Sequence, residues 1–304
     1  MSSPEVTKGL ATVERMLFDS CGYLVLKKVF TKEEISELDS LFDRYADEFV
    51  ARNEGVATAR SDFFKGNSGR SDYGKVLQRW TQESSVCASI FEHPRLNPVI
   101  EEICGKGFRL DHFPLAFEQN PGGEGFDLHG GRLLPSGDIN FPVAYTSVDN
   151  TSVHTSLLAV SIAVSDMAQG AGGFVALPGS HKCSFPATDD ILHARHPAVK
   201  SMMVQPGMEA GDVLVFTEAL MHGTLPWKGT HTRRTLLFRF GPATCAYARG
   251  YLCSPAEIAK LNLSETAKEM LLPPYHSRYD RAVASQRSEE QLDYDRKVFG
   301  QPYY

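Results

Sequence analysis

The chain has 304 residues, 42% of them apolar and 10% aromatic, which is enough to bury a sizeable core and too much to leave the chain disordered. Net charge is −6, from 31 Lys+Arg against 37 Asp+Glu, so no cationic excess exists to neutralise a phosphate backbone and nucleic acid is not an expected partner. No run of about 18 apolar residues occurs, so no membrane-spanning helix is expected.

The start, MSSPEVTKGL, is polar and lacks the apolar stretch of a signal peptide, which makes the cytoplasm the default location. Residues 22–26 are a short β-rich run. Thr31 and Glu34 then form a capping box, and the spacing of Ile35, Leu38, Leu41, Phe42, Tyr45 and Phe49 predicts an amphipathic helix over about 32–52. Residues 53–80 are polar and rich in Gly and Ser, which predicts a loop or lid, and 83–104 reads as a second helical stretch.

From residue 108 to 247 the character changes. Short β-rich runs at 157–164, 173–177, 212–216 and 234–240 are separated by Gly, Pro, Asn and Asp clusters, the pattern of a sandwich or barrel rather than a βαβ sheet. Ser254 to Glu257 is another capping box, with Pro255 at the first helical position, and 285–298 is charged and expected on the surface. The expected organisation is a single domain over 1–304: a helical part with one strand (1–105), a β core (106–247) and a helical, charged extension (248–304). The six cysteines form no C-x-x-C pair and read as free thiols rather than a zinc or redox site.

Of the ten histidines, two stand out. His129 lies in a Gly-rich stretch, Asp127-Leu128-His129-Gly130-Gly131. His222 follows the apolar run 212–216. Ninety-three residues separate them, too many for a local zinc finger and suitable for ligands on distant strands. Spacing alone favours two structural histidines. Arg233 lies 11 residues after His222, where an arginine can hold a carboxylate through two parallel hydrogen bonds.

These residues resemble the phytanoyl-CoA dioxygenase family of non-haem iron, 2-oxoglutarate-dependent oxygenases. The resemblance extends over about 20–245 and rests on residues 22–26, on Leu128-His129-Gly130-Gly131, on Gly172-Gly173-Phe174-Val175-Ala176-Leu177 with Pro178-Gly179-Ser180-His181-Lys182, on 211–216, on His222-Gly223-Thr224 and on Arg233. It implies a mainly β fold with flanking helices: a double-stranded β-helix, the jelly-roll or cupin-like barrel. It also implies His129 and His222 as iron ligands. Arg233 would hold the distal carboxylate of 2-oxoglutarate, helped by the Thr224 hydroxyl. His181 belongs to a structural turn and is not an implied ligand. Gln119 and Asn140 are further candidates to bond the cofactor.

One departure bears on the chemistry. The family's facial triad is His-x-Asp/Glu plus a distal His. Here the third position is Gly131, and no histidine in the chain is followed two residues later by Asp or Glu. Two neutral imidazoles leave Fe(II) at +2, so a carboxylate from elsewhere, water or a halide must complete the site. Asp127, Asp138, Asp149 and Glu218 are the candidate substitutes. Iron/2-oxoglutarate halogenases carry Gly or Ala at this position and bind chloride there.

Three readings follow. The first is an Fe(II)/2-oxoglutarate-dependent oxidoreductase that hydroxylates a small organic substrate with O₂ through a ferryl intermediate. The second is a halogenase with chloride at the position left by Gly131. The third is an inactive binding or regulatory barrel. Arg132, Phe141, Tyr145 and Trp227 are candidates for the substrate pocket or for ordinary surface and packing roles. Neither the substrate nor the oligomeric state is legible.

Overall fold

The computed structural model describes residues 9–52, 59–148, 152–247, 252–274 and 288–299. Helix α1 (Thr12–Cys21) leads into strand β1 (Tyr23–Leu26). Helix α2 (Lys32–Arg44) begins at the expected capping box: the Glu34 amide donates to the Thr31 hydroxyl at 3.2 Å, and the Thr31 amide donates to the Glu34 carboxylate at 2.8 Å. It stops at Arg44, short of the expected 52, and a 3₁₀ turn at Ala46–Glu48 follows. Phe49 is extended yet still stacks on Phe42 at 5.5 Å, so an apolar residue at helical spacing reaches the core from non-helical backbone.

The stretch 83–104 is not one helix. Short turns at Ser85–Ser89 and Ile90–Glu92 give way at Pro94, and a regular helix resumes at Asn97–Cys104 with Pro98 in its first turn, where proline costs no hydrogen bond. Of the expected loop 53–80, residues 53–58 lie outside the described residues. The remainder contains a strand at Arg70–Tyr73 and a helical turn at Val76–Trp80. Ser254 caps the helix Pro255–Lys260 as its motif predicts. Residues 285–287 of the charged C-terminal stretch also lie outside the described residues, and Glu289–Phe299 is helical.

The remaining strands are β2 (Val50–Ala51), β3 (Arg70–Tyr73), β4 (Arg109–Leu110), β5 (Leu115–Gln119), β6 (Phe126–His129), β7 (Tyr145–Val148), β8 (Ser152–Thr155), β9 (Leu158–Ala163), β10 (Gly173–Ala176), β11 (Val213–Thr217), β12 (His222–Leu225) and β13 (Arg233–Gly241). They form three open sheets. The largest has eight strands in the order β1-β11-β9-β13-β5-β3-β2, with β4 also paired to β13. A second has the order β10-β12-β6, and β7 pairs with β8.

The expected mainly β double-stranded β-helix is therefore corrected to a mixed α/β fold. The large sheet ends at β1 and β2, which do not pair with each other, and β10 and β6 remain the edges of the small sheet, so no barrel closes. Apolar runs locate strands, but pairing and closure are long-range properties that local patterning does not encode. The central strands β9 and β11 are buried along their whole length, which explains why they read as continuous apolar runs. No described helix is long and apolar enough to cross a membrane.

Candidate metal centre and cavity

The small sheet brings His129 and His222 together as direct cross-strand partners on β6 and β12. Their rings lie 4.2 Å apart, centre to centre. Each imidazole is fixed by its own chain: His129 Nδ1–H donates to the Asp127 carbonyl at 3.1 Å, and His222 Nδ1–H to the Leu220 carbonyl at 2.8 Å. That leaves both Nε2 lone pairs for a ligand.

Glu218, four residues before His222, completes the group. One carboxylate oxygen accepts from Arg239 Nε at 2.5 Å, and the other lies 3.6 Å from His222 Nε2. The candidate ligand atoms of His129, Glu218 and His222 all lie within 4.8 Å of one another. Two nitrogens and one oxygen, grouped on one side of a point, are the donor set of the non-haem Fe(II) facial triad.

Electrostatics keep these donors unprotonated. Burial, and next the neighbouring His129, push His222 down to about 3, and burial is also the main reason His129 falls below the usual histidine range. Burial alone would raise Glu218. The positive charge of Arg239, followed by the histidines, outweighs it and holds the carboxyl at about 2.

The group opens into a cavity of about 210 Å³ between the large and small sheets. Both sheets contribute apolar residues to its lining, with Phe117, Phe216 and Leu237 from the large sheet and Phe126 and Phe174 from the small one. Arg233 reaches the same cavity and is 2% exposed. Its neighbours are neutral: Nε donates to the Met167 sulfur at 3.1 Å, and a terminal nitrogen to the Gln119 side-chain oxygen at 2.5 Å. Among the described residues no carboxylate lies within ion-pair distance of it. Burial, with the like charge of Arg70 second, lowers its pKa to about 9. A buried guanidinium with only neutral partners is costly to maintain, and an anionic ligand would offset that cost. Gly173 makes room for it, since a Cβ there would stand 2.9 Å from Arg233 Nε.

Comparison with known proteins agrees with this geometry. The model of the family described as phytanoyl-CoA dioxygenase (PhyH) matches residues 18–235. The chain belongs to the phytanoyl-CoA dioxygenase family. With that membership it falls among the Fe(II)/2-oxoglutarate-dependent oxidoreductases in general. No curated protein matches the chain.

Several solved structures share the fold of this phytanoyl-CoA dioxygenase-family chain. HygX from Streptomyces hygroscopicus, with nickel, 2-oxoglutarate and hygromycin B bound, is 22% identical, with a TM-score of 0.62, covering 79% of this chain and 90% of its own. The non-haem alpha-ketoglutarate-dependent carbocyclase SnoK from nogalamycin biosynthesis is 14% identical, with a TM-score of 0.54 and coverage of 80% and 88%. The epimerase SnoN from nogalamycin biosynthesis is 16% identical, with a TM-score of 0.53 and coverage of 76% and 83%.

Of the four candidate carboxylates, Glu218 is the one grouped with His129 and His222 among the described residues, so the donor set reads His-Glu-His and the comparisons do not confirm a His-Gly-Gly subgroup. Gly131 instead makes a backbone turn at φ +99°, a conformation that disfavours any side chain, and its amide donates to the Ala219 carbonyl at 3.0 Å. Of the other candidate carboxylates, Asp127 accepts from the amides of Arg60 and Ser61 at 2.6 and 3.2 Å and from His193 at 3.0 Å. Asp138 bonds the Ser136 hydroxyl on the surface, and Asp149 lies outside the described residues.

Thr224 lines the cavity beside His222. Gln119 contacts Arg233 and the Glu124 carbonyl, and so positions the arginine. Asn140 donates to the Gly131 carbonyl at 3.1 Å and braces the turn after His129. Tyr145 bonds Asp19 and Trp227 bonds the His231 carbonyl, both away from the cavity, and Arg132 is exposed. Nothing is described of the Phe141 side chain. His181, as expected, is no part of the metal group: it is buried, with Nε2 on the Asp19 carbonyl. Sequence reasoning missed Arg239, Arg70 and Arg52. Arg239 alone had a signal, as a charge inside an apolar strand.

Proposed function

We propose that this chain is an Fe(II)/2-oxoglutarate-dependent oxygenase that hydroxylates a small organic substrate. His129, Glu218 and His222 would hold the iron, and Arg233 the distal carboxylate of 2-oxoglutarate. The observation that carries the reading is convergence on one cavity: two imidazoles with free Nε2 atoms, one carboxylate and one buried guanidinium with neutral partners. Bound there, Fe(II) and 2-oxoglutarate supply O₂ activation coupled to decarboxylation of the co-substrate.

The protein's own residues do the rest. The carbonyls of Asp127 and Leu220 fix the ring orientations, and Arg239 holds one Glu218 oxygen so that the other faces His222. Gln119 aims Arg233, and the Thr224 hydroxyl would add a second contact to the same co-substrate. Phenyl and leucyl side chains from both sheets line the same space.

Hydroxylation is favoured over chloride transfer because Glu218 supplies the carboxylate that the halogenase reading takes to be missing. Anaerobic titration of Fe(II) and 2-oxoglutarate, with and without chloride, tests both points. The expected result is a weak visible charge-transfer band that requires 2-oxoglutarate, ignores chloride and is lost in Glu218→Ala. A protein that gives no such band lacks the proposed function, and a chloride-shifted band restores the halogenase.

A further inference from the structure

The wall of the cavity carries more positive charge than the metal and co-substrate require. Arg52, Arg70, Arg233 and Arg239 all line it. Arg70, on β3, lies across β5 from Arg233: both are cross-strand partners of Gln119. Its side chain is 16% exposed, its Nε donates to Asp72 at 2.7 Å, and its guanidinium lies 4.1 Å from the centre of the Phe117 ring. Asp72 is shared, since its other oxygen accepts from Arg52 at 2.5 Å.

The charges can be assigned one by one. Asp72 offsets one charge of the Arg70 and Arg52 pair that shares it. A 2-oxoglutarate dianion would set one carboxylate against Arg233 and the other on the metal. The divalent metal would then be balanced by that second carboxylate and by Glu218. Among the described residues the carboxylate paired with Arg239 is Glu218, already set against the metal, so Arg239 would be left with an uncompensated charge. Leaving Arg52 aside altogether, the loaded cavity therefore keeps one net positive charge. A partly desolvated cation of that kind favours an anionic guest.

We propose that the substrate carries an anionic group, a carboxylate or a phosphate ester, received by the cationic wall that Arg70 forms with Arg52 and Arg239. This inference rests on the proposed iron and 2-oxoglutarate site and names the substrate class for it. The apolar walls at Phe117, Phe126 and Leu237 suit a carbon skeleton attached to that group.

The test uses the full chain loaded anaerobically with Fe(II) and 2-oxoglutarate, and matched compounds that differ only in charge. Hexanoate is compared with hexanamide, and pentyl phosphate with pentanol, by calorimetry. At least one anion should bind about tenfold or more tightly than its neutral match, and that ratio should shrink as salt is raised. The pair with the larger ratio identifies carboxylate or phosphate. Arg70→Met, which keeps the stem over Phe117, should erase the ratio while 2-oxoglutarate affinity holds; Arg70→Lys should keep part of it. If Arg70→Met does not fold, Arg70→Gln is read the same way, and the wild-type salt dependence stands independently. Equal affinities for anion and neutral in the wild type, or a ratio that survives Arg70→Met, would overturn the proposal. So would a loss of 2-oxoglutarate binding in Arg70→Met as large as in Arg233→Met, because Arg70 would then belong to the co-substrate. Absence of the charge-transfer band overturns the iron site and this inference together. A normal band without charge selectivity overturns this inference alone.

Discussion

Two buried regions lie against the same large sheet and have opposite character. Beside α2 and β3, the rings of Phe42, Phe49, Tyr73 and Trp80 pack at 5.1–5.5 Å, and the guanidinium over Phe42, that of Arg234, is already paired with Asp39 and Asp43. Around the cavity, Arg233 and Arg239 on β13, Arg70 on β3 and Arg52 just after β2 bring four guanidiniums together. The first region fills its volume and the second leaves it open. Burial by itself therefore does not reveal what a part of this sheet is for; the chemistry of what is buried does. A tightly filled ring cluster contributes packing energy, whereas buried cations around a cavity cost stability unless a ligand or carboxylate balances them.

Substitutions in each region should separate these roles. The largest expected effect on ligand binding is at Glu218. Glu218→Ala should weaken Fe(II) binding by more than the roughly 10–100-fold typical of losing an outer partner of a metal ligand, measured by anaerobic equilibrium dialysis; a variant that binds iron normally would remove Glu218 from the metal site. Trp80→Ala, in the ring cluster, should lower unfolding stability by about 3–5 kcal/mol in urea, with iron affinity of the folded fraction unchanged.

Next comes a contrast between neighbours. Arg233→Ala should weaken 2-oxoglutarate by roughly 2–5 kcal/mol, as for other desolvated charge pairs that lose a partner, seen as a shift in the titration midpoint. Arg234 faces the other side of β13 and pairs with Asp39 at 2.9 Å and Asp43 at 2.6 Å on α2. Arg234→Ala should leave 2-oxoglutarate binding intact and cost about 0–1 kcal/mol of stability. Reversed effects would put the wrong face of the strand in the cavity.

The smallest effect is a pH dependence away from both regions. Asp212 is buried, and burial alone would raise its pKa. Lys27 at 2.7 Å and the amides of Glu209 and Lys28 outweigh this and leave it below the usual carboxylate value. A depressed folded-state pKa stabilises the fold above the unfolded value, near 4, and that contribution is lost as pH falls through the folded value. Asp212→Asn should therefore flatten the acid limb of a melting-temperature profile and leave the neutral region parallel to wild type. An unchanged acid limb would show that Asp212 plays no part in it.

These particulars also mark what was legible beforehand. Strands and caps were readable because apolar runs and Thr31–Glu34 or Ser254–Glu257 boxes are local signals. Arg233 and Arg234 point to opposite faces of β13, as strand alternation, a local property as well, requires. His129 and His222 stood out through their Gly-rich or strand-end settings. Glu218 was one of four candidates, and nothing in its spacing singled it out, because the turn between β11 and β12 that folds it back onto His222 is a tertiary feature. Arg70 was hidden in a segment read as loop: Arg70–Tyr73 is polar, and its strand is made by pairing with β5 on one side and β2 on the other. Sheet closure was misjudged for the same reason, since five strands were located from their apolar runs but their partners were not.

Asp127 joins two parts of the molecule through one residue. Its carbonyl holds the His129 ring, while its carboxylate gathers the Arg60 and Ser61 amides and His193. The segment around residues 60–61 and the first imidazole are therefore thermodynamically linked. Whatever stiffens that segment narrows the range of His129 orientations, and by reciprocity a ligand that fixes His129 steadies the segment in turn.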